Sequence, residues 1–178
     1  MNIDEIVELY QIPEVGFSEN EIIRAEQNIG VNLPSNYRNY LIQYGLAKIN
    51  YVYNHLVKPK NIKTTYQLIQ QDIQKNWENE FLSAKDNMSK YNNDYFLLWQ
   101  LPVEKWYSIT ENYIILWSEN QGIWTAGYLL KDLQEANPNP PIYISVNDDL
   151  ITYVKCVDNI ELFLKKMFEE ARNEMPIS

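Results

Sequence analysis

Apolar positions near the start of the chain recur with the spacing of one helical face, and after residue 94 they gather into short runs rich in β-formers. In IDEIVELY, residues 3–10, Ile3, Ile6, Val7 and Tyr10 fall at i, i+3, i+4 and i+7, which predicts a short amphipathic helix ended by Pro13 and Gly16. Ser18 then stands three residues before Glu21. This is a capping box: the hydroxyl takes an orphan helical N–H and the carboxylate reaches back to the N–H of the cap. Ile22, Ile23, Ala25 and Ile29 continue the apolar face, and Gly30 occupies the left-handed position just past a helix end, so a second helix spans about 18–29. A third lies in NLPSNYRNYLIQYG, residues 32–45, with Ser35 as cap, Tyr37, Tyr40, Leu41 and Tyr44 on one face, and Gly45 at its end.

β-Formers dominate INYVYNHLV, residues 49–57, and predict a strand that Lys58-Pro59-Lys60 interrupts. Tyr66, Ile69, Ile73, Trp77 and Phe81 are spaced by three and four, so a longer helix is expected over 64–86, capped by Thr64 or Thr65. The runs DYFLLWQLP, NYIILW, GIWTAGYLL, IYISV and LITYVKCV, punctuated by Asn, Gly, Pro and Asp, have the pattern of an antiparallel sheet. Their continuous hydrophobicity predicts burial on both faces near the middle of the sheet. Pro138, Pro140 and Pro141 mark a connector, since proline cannot donate to a ladder. Asp158 is the expected cap of a closing helix, NIELFLKKMFEEAR, with Ile160, Leu162, Phe163, Leu164, Met167 and Phe168 facing inward.

A chain of 178 residues fits one domain with one core. No run of about 18 apolar residues is present to span a membrane, and MNIDEIVELY lacks the basic and apolar regions of a secretory signal. With Cys156 alone, an internal disulfide is impossible, and a reducing cytoplasm is the expected location. The net charge is −9 and uneven: residues 1–45 and 91–178 are acidic, while 46–90 carry an excess of lysine. Only Lys58, Lys60 and Lys63 come close together, which speaks against direct nucleic-acid binding. Acidic ends favour steered association with a basic macromolecule, and equally account for solubility alone.

Catalytic constellations are sparse. His55 is the single histidine and sits in an expected strand, where a structural role is the default; Cys156, within YVKCV, reads as a small buried hydrophobe that is inert unless a positive charge lies close to its thiol. A His55–Cys156 dyad is the remaining nucleophilic scheme. Gly122 and Gly127 have P-loop spacing, yet Tyr128-Leu129 stand where Lys and Ser/Thr are needed. No Cys/His metal cluster can be assembled and no cofactor is expected. An enzyme built on carboxylates alone stays open as an alternative, without a spacing that singles out a pair. Asn120-Gln121-Gly122, between NYIILW and IWTAGYLL, has the residues of a tight hairpin turn. The functional alternative places Glu119, Asn120 and Trp124 at an exposed hairpin end in contact with a partner, joined by the adjacent Asp148 and Asp149.

Several stretches, in this order, resemble the SUKH superfamily: GFSENEIIRAEQNIGVNLPSNYRNYLIQYG, ILWSENQGIWTAGY, NPPIYIS and a closing IELFLKK. The matching positions are Glu26, Leu33-Pro34, Tyr37-Arg38, Gly45, Trp117, Asn120-Gln121-Gly122 and Pro140-Pro141-Ile142-Tyr143. That group includes bacterial immunity proteins of polymorphic toxin systems and a fungal cell-wall synthesis regulator. The resemblance implies a single α+β domain over 1–178, its antiparallel sheet of five to six strands packed by N- and C-terminal helices, with a helical insertion near 58–93. It implies function by binding a protein, with no active site to transfer: an immunity protein that blocks a cognate basic toxin, such as a nuclease, or a regulatory scaffold without a toxin partner.

Overall fold

The computed structural model describes residues 2–10, 15–46, 54–76, 101–105, 108, 112–119, 124–135, 137–145 and 152–173. Helix α1 spans Ile3–Tyr10 and is opened by a reciprocal pair of bonds, Asn2 N–H to Glu5 Oε2 and Glu5 N–H to Asn2 Oδ1, each 2.9 Å. Helix α2, Glu19–Ile29, begins after Ser18. The Glu21 carboxylate accepts the Ser18 N–H at 2.9 Å as expected, while the Ser18 hydroxyl donates to the same carboxylate at 2.7 Å. Gly30 closes the helix at φ 77°, its N–H bonded to the Glu26 carbonyl.

Helix α3 is Ser35–Tyr44, with Pro34 rather than Ser35 at the cap position. Pro34 already fixes an extended backbone before the first turn, so Ser35 becomes the first helical residue and makes no side-chain cap bond. Tyr37, Tyr40, Leu41 and Tyr44 form its buried face, as the spacing predicts. Its end is crossed at close range by residues 15–17: the Phe17 N–H bonds the Leu41 carbonyl at 2.9 Å, and a Cβ on Gly45, at φ 65°, would lie 2.1 Å from the Val15 carbonyl oxygen. Only glycine satisfies both that backbone angle and that contact.

Strand β1 is Asn54–Leu56, a turn of 3-10 helix at Pro59–Asn61 follows, and β2 is Lys63–Thr64. Helix α4, Thr65–Asn76, is capped by Thr64: the Gln67 N–H bonds Thr64 Oγ1 and the Thr64 N–H bonds Gln67 Oε1, both at 3.1 Å. The expected strand over DYFLLWQ and the distal part of the 64–86 helix lie outside the described residues. Strands β3, Tyr113–Glu119, and β4, Thr125–Leu129, form a hairpin. A short helix α5, Leu130–Gln134, was not anticipated, because the sequence LKDLQ is too brief to show a helical period. Strands β5, Ile142–Ser145, and β6, Tyr153–Val157, precede helix α6, Ile160–Asn173.

The strands make one antiparallel sheet in the order β1-β3-β4-β5-β6, with β2 also paired to β3. β1 pairs Trp117–Glu119 and β2 pairs Ile114–Ile115, so two short strands share one long one. Tyr113 to Trp117 are all buried, as expected for a strand covered on both faces. Ile114, Leu116 and Trp117 join the main core with Ile22, Tyr37, Leu41, Tyr128, Phe163 and Leu164, where helices α1, α2, α3 and α6 pack. A bulge between Ile115 and Trp117 shifts the alternation, bringing Leu116 and Trp117 into the same core. Trp117 meets Phe163 edge-on, centroids 5.5 Å apart, a geometry worth about 0.5–1.5 kcal/mol beyond area burial. Tyr113 and Ile115 lie outside that cluster, as does Ile69 of α4.

Two expectations for α6 are corrected. Asn159, not Asp158, caps it: the Leu162 N–H bonds Asn159 Oδ1 at 2.9 Å, while Asp158 pairs with Lys155 Nζ at 2.5 Å. Leu162 does not face inward. It is 43% exposed, because it lies two positions from Ile160 and thus off the stripe of Ile160, Phe163, Leu164, Met167 and Phe168.

Candidate functional site

The sheet order separates the two candidate nucleophilic partners. His55 lies on β1 opposite Ser118, and Cys156 lies on β6. These are the two ends of the order, four strand spacings apart, roughly 19 Å at about 4.8 Å per spacing. They form no dyad. Cys156 is also half-buried rather than buried, with the Lys166 ammonium 3.8 Å from its Sγ, on the strand that ends the sheet order among the described residues. Among the described residues no group of three or more His, Cys, Asp or Glu is placed to hold a metal ion, and no helix is long and apolar enough to cross a membrane.

Of the residues expected to contact a partner, Glu119 and Trp124 fall within the described chain. Glu119 ends β3, opposite Asn54, and Trp124 immediately precedes β4. Trp124 is half-buried and packs against the main core, so its ring is anchored while part of its surface stays open. Asn120, Asp148 and Asp149 lie outside the described residues, as does the P-loop-like Gly122. Gly127 is a mid-strand residue of β4, where a Cβ would come 1.8 Å from the Ile114 carbonyl oxygen.

The motif that joins α2 to α3 is a hydrogen-bonded corner. Glu26 is 9% exposed, and its Oε1 accepts the Leu33 N–H at 3.0 Å and the Arg38 Nε at 3.3 Å. Arg38 also pairs through Nη2 with Glu19 at the start of α2. The Glu19 hydrogen bond is the first cause holding the Arg38 guanidinium above its ordinary pKa. Glu26, Leu33 and Arg38 are therefore engaged in holding the corner between the two helices.

On the other side of β3 a polar aromatic layer forms. Tyr113 stacks on Tyr153 with centroids 3.8 Å apart, and its hydroxyl donates to the Tyr143 carbonyl at 2.8 Å. The Tyr153 hydroxyl reaches Thr65 Oγ1 at 3.3 Å, and the Thr125 N–H bonds Ser145 Oγ at 3.0 Å. Burial pushes the Tyr113 phenol well above its ordinary range.

A cleft of about 260 Å³ opens between α1, α3 and α6. Asp4 comes from α1, Asn36, Asn39, Tyr40 and Gln43 from α3, and Glu161 from the first turn of α6. Asp4 Oδ1 accepts the Tyr44 hydroxyl at 2.8 Å. Glu161 is held on both oxygens, by Asn36 Nδ2 at 2.6 Å and Asn139 Nδ2 at 2.8 Å. Behind it, Tyr37, Tyr40 and Tyr128 are buried and their hydroxyls have no hydrogen-bond partner among the described residues. Desolvation is the main cause raising all three phenols; Tyr128 additionally feels Tyr37 and Glu161. Sequence reasoning missed this cleft. Its residues come from positions 2–4, 36–44 and 161, and no local spacing connects them.

A comparison with individual curated proteins gave no match. The family model SUKH_6, described as "SMI1-KNR4 cell-wall", matches residues 19–164, a span that takes in the α2–α3 corner, the sheet and the first turn of α6. That membership supports a role in protein interaction. With the capped helix pair, its Glu26–Arg38 corner and the antiparallel sheet in place, the chain belongs to the SUKH superfamily.

Proposed function

We propose that this chain is a non-enzymatic immunity protein that binds and neutralises a cognate bacterial toxin domain in the cytoplasm. The observation that carries the reading is a net charge of −9 on a chain of a protein-interaction family. An acidic protein can cover the basic cleft of an enzyme that acts on nucleic acid, and close charge pairs across such an interface couple by about 1.5 to 7 kcal/mol each. The contacts are assigned to Glu119, Asn120 and Trp124 at the hairpin end, with Asp148 and Asp149 in the β5–β6 connection. The helical segment near 58–93 is taken as an insertion into a single domain over 1–178.

The reading expects an interface burying about 1,600 Å² in total, nanomolar affinity and an association rate that falls with salt. Isothermal titration of the purified chain against the toxin domain encoded beside it, at low and high salt, checks this. Absence of binding at both salts would remove the immunity reading. A second reading, a regulatory scaffold without a toxin partner, is favoured by one observation: the matching family is named for a cell-wall role. A gene neighbourhood lacking any toxin would move the weight to it.

A further inference from the structure

We propose that the cleft between α1, α3 and α6 receives a guanidinium group, an arginine side chain presented by the partner protein. This deepens the immunity reading and takes the basic protein partner from it. Two carboxylates from separate helices, Asp4 and Glu161, line the cleft. Among the described residues each is oriented by neutral donors, Tyr44 for Asp4 and Asn36 with Asn139 for Glu161. Among the described residues, no Lys or Arg bridges either one. Two carboxylates thus face the same small volume with no cation bridging them among the described residues, although the chain pairs Glu19 and Glu26 with Arg38 elsewhere.

The remaining lining matches the same ligand. Asn36, Asn39 and Gln43 also line the cleft, and each side-chain carboxamide carries an acceptor oxygen. Tyr40 lines the cleft as well, is 1% exposed, and its hydroxyl lacks a partner among the described residues. A buried hydroxyl without a partner among the described residues, able to accept as well as donate, adds to the acceptors of a cleft that two carboxylates also line. A volume of about 260 Å³ is below the usual range for a drug-sized ligand and suits one long side chain. Acceptors from α1, α3 and α6 surround that volume. Guanidinium, planar and with five N–H donors, satisfies acceptors on several sides at once, whereas an ammonium has three donors on a compact, strongly hydrated head. Arginine is also enriched among the residues that dominate protein interfaces.

The test is an NMR titration of the intact chain with N-acetyl-arginine N-methylamide, run beside the matching lysine and citrulline amides. The proposal expects saturable, millimolar binding of the arginine probe that moves the side-chain amide signals of Asn36, Asn39 and Gln43. It expects weaker binding of the lysine probe and none of citrulline, which keeps the shape and loses the charge. Gln43→Lys, at an exposed position, supplies the cleft with its own cation and should weaken the arginine probe at least about tenfold. Asp4→Asn removes a charge while keeping an oxygen for Tyr44, and should weaken it several-fold even if Gln43→Lys fails to fold. Equal shifts with citrulline, shifts confined to another surface, or no change in either variant would overturn the proposal. No toxin is present in this experiment, so the two readings fail separately. A cleft that ignores arginine overturns this inference even where a toxin complex forms, and a cleft that binds it where no complex forms sustains the inference and removes the toxin.

Discussion

Glu26→Ala should destabilise the fold by about 2–4 kcal/mol while leaving the cleft and the hairpin chemistry untouched. The Leu33 N–H, bonded to Glu26 Oε1 at 3.0 Å in a buried setting, would lose its acceptor, and an unsatisfied buried donor costs about 1–3 kcal/mol. Arg38 would lose a 3.3 Å charge-assisted bond but keep Glu19, and its side chain is 24% exposed, so this part is smaller, about 1 kcal/mol. Against a total stability of about 5–15 kcal/mol the loss is large. For a chain of this size it corresponds to a fall in Tm of roughly 6–12 °C. Glu19→Ala provides the control: its side chain is 55% exposed, and its removal should cost less than about 1 kcal/mol. Urea unfolding of both variants, with Arg38→Ala and the double variant to complete a cycle, measures the coupling. A Glu26→Ala variant as stable as Glu19→Ala would refute the assignment of this corner to the fold. So would a fully stable variant that had lost its partner, which would make Glu26 a binding residue.

Alkaline pH should unfold the chain cooperatively. Tyr37, Tyr40, Tyr113 and Tyr128 are buried as neutral phenols with pKa raised above the ordinary 10.0, so stability is complete below that value and falls as pH rises past it. Each contributes a loss of about 1.4 kcal/mol per pH unit, about 5–6 together, so unfolding by about pH 11–12 is expected. Tyrosinate absorbance followed beside circular dichroism checks it, and ordinary titration of all the tyrosines in a still-folded chain would contradict it. Asn159→Ala should cost about 1 kcal/mol through loss of the α6 cap, and Asp158→Ala should cost less; thermal melts that reverse this order would return the cap to Asp158. Gly45→Ala should lower Tm strongly, because the added Cβ meets the Val15 carbonyl at 2.1 Å on a backbone at φ 65°; an unchanged melt would show that the crossing of residues 15–17 over α3 yields easily.

The helices were legible where the period was long and a cap stood at the right distance. Ser18 with Glu21 and Gly30 bracket α2 within a residue, and the Tyr37-Tyr40-Leu41-Tyr44 face of α3 is the buried one. Ambiguity arose where two competent caps are adjacent, as in Asp158-Asn159, or where proline overrides serine, as in Pro34-Ser35. Hydrophobicity alone placed Leu162 inside, although its position on the helix turns it outward. The sheet was legible as antiparallel, but the sharing of β3 by β1 and β2 depends on pairing between segments about 50 to 65 residues apart and leaves no local trace. The same reason hides the cleft: Asp4, Asn36 and Glu161 meet only after α1, α3 and α6 pack together. The hairpin was read correctly from NYIILW and IWTAGYLL, and the anchoring of Trp124 against the core is what the sequence pattern left open.

The most direct test of the proposed neutralisation by binding is co-expression of the chain with any toxin domain found in its gene neighbourhood, scored by host survival and by size-exclusion chromatography of the lysate. The account predicts survival together with a stable stoichiometric complex, with protection reduced by charge reversal at Glu119, Asp148 and Asp149. Death of the host with the two proteins eluting separately would contradict it.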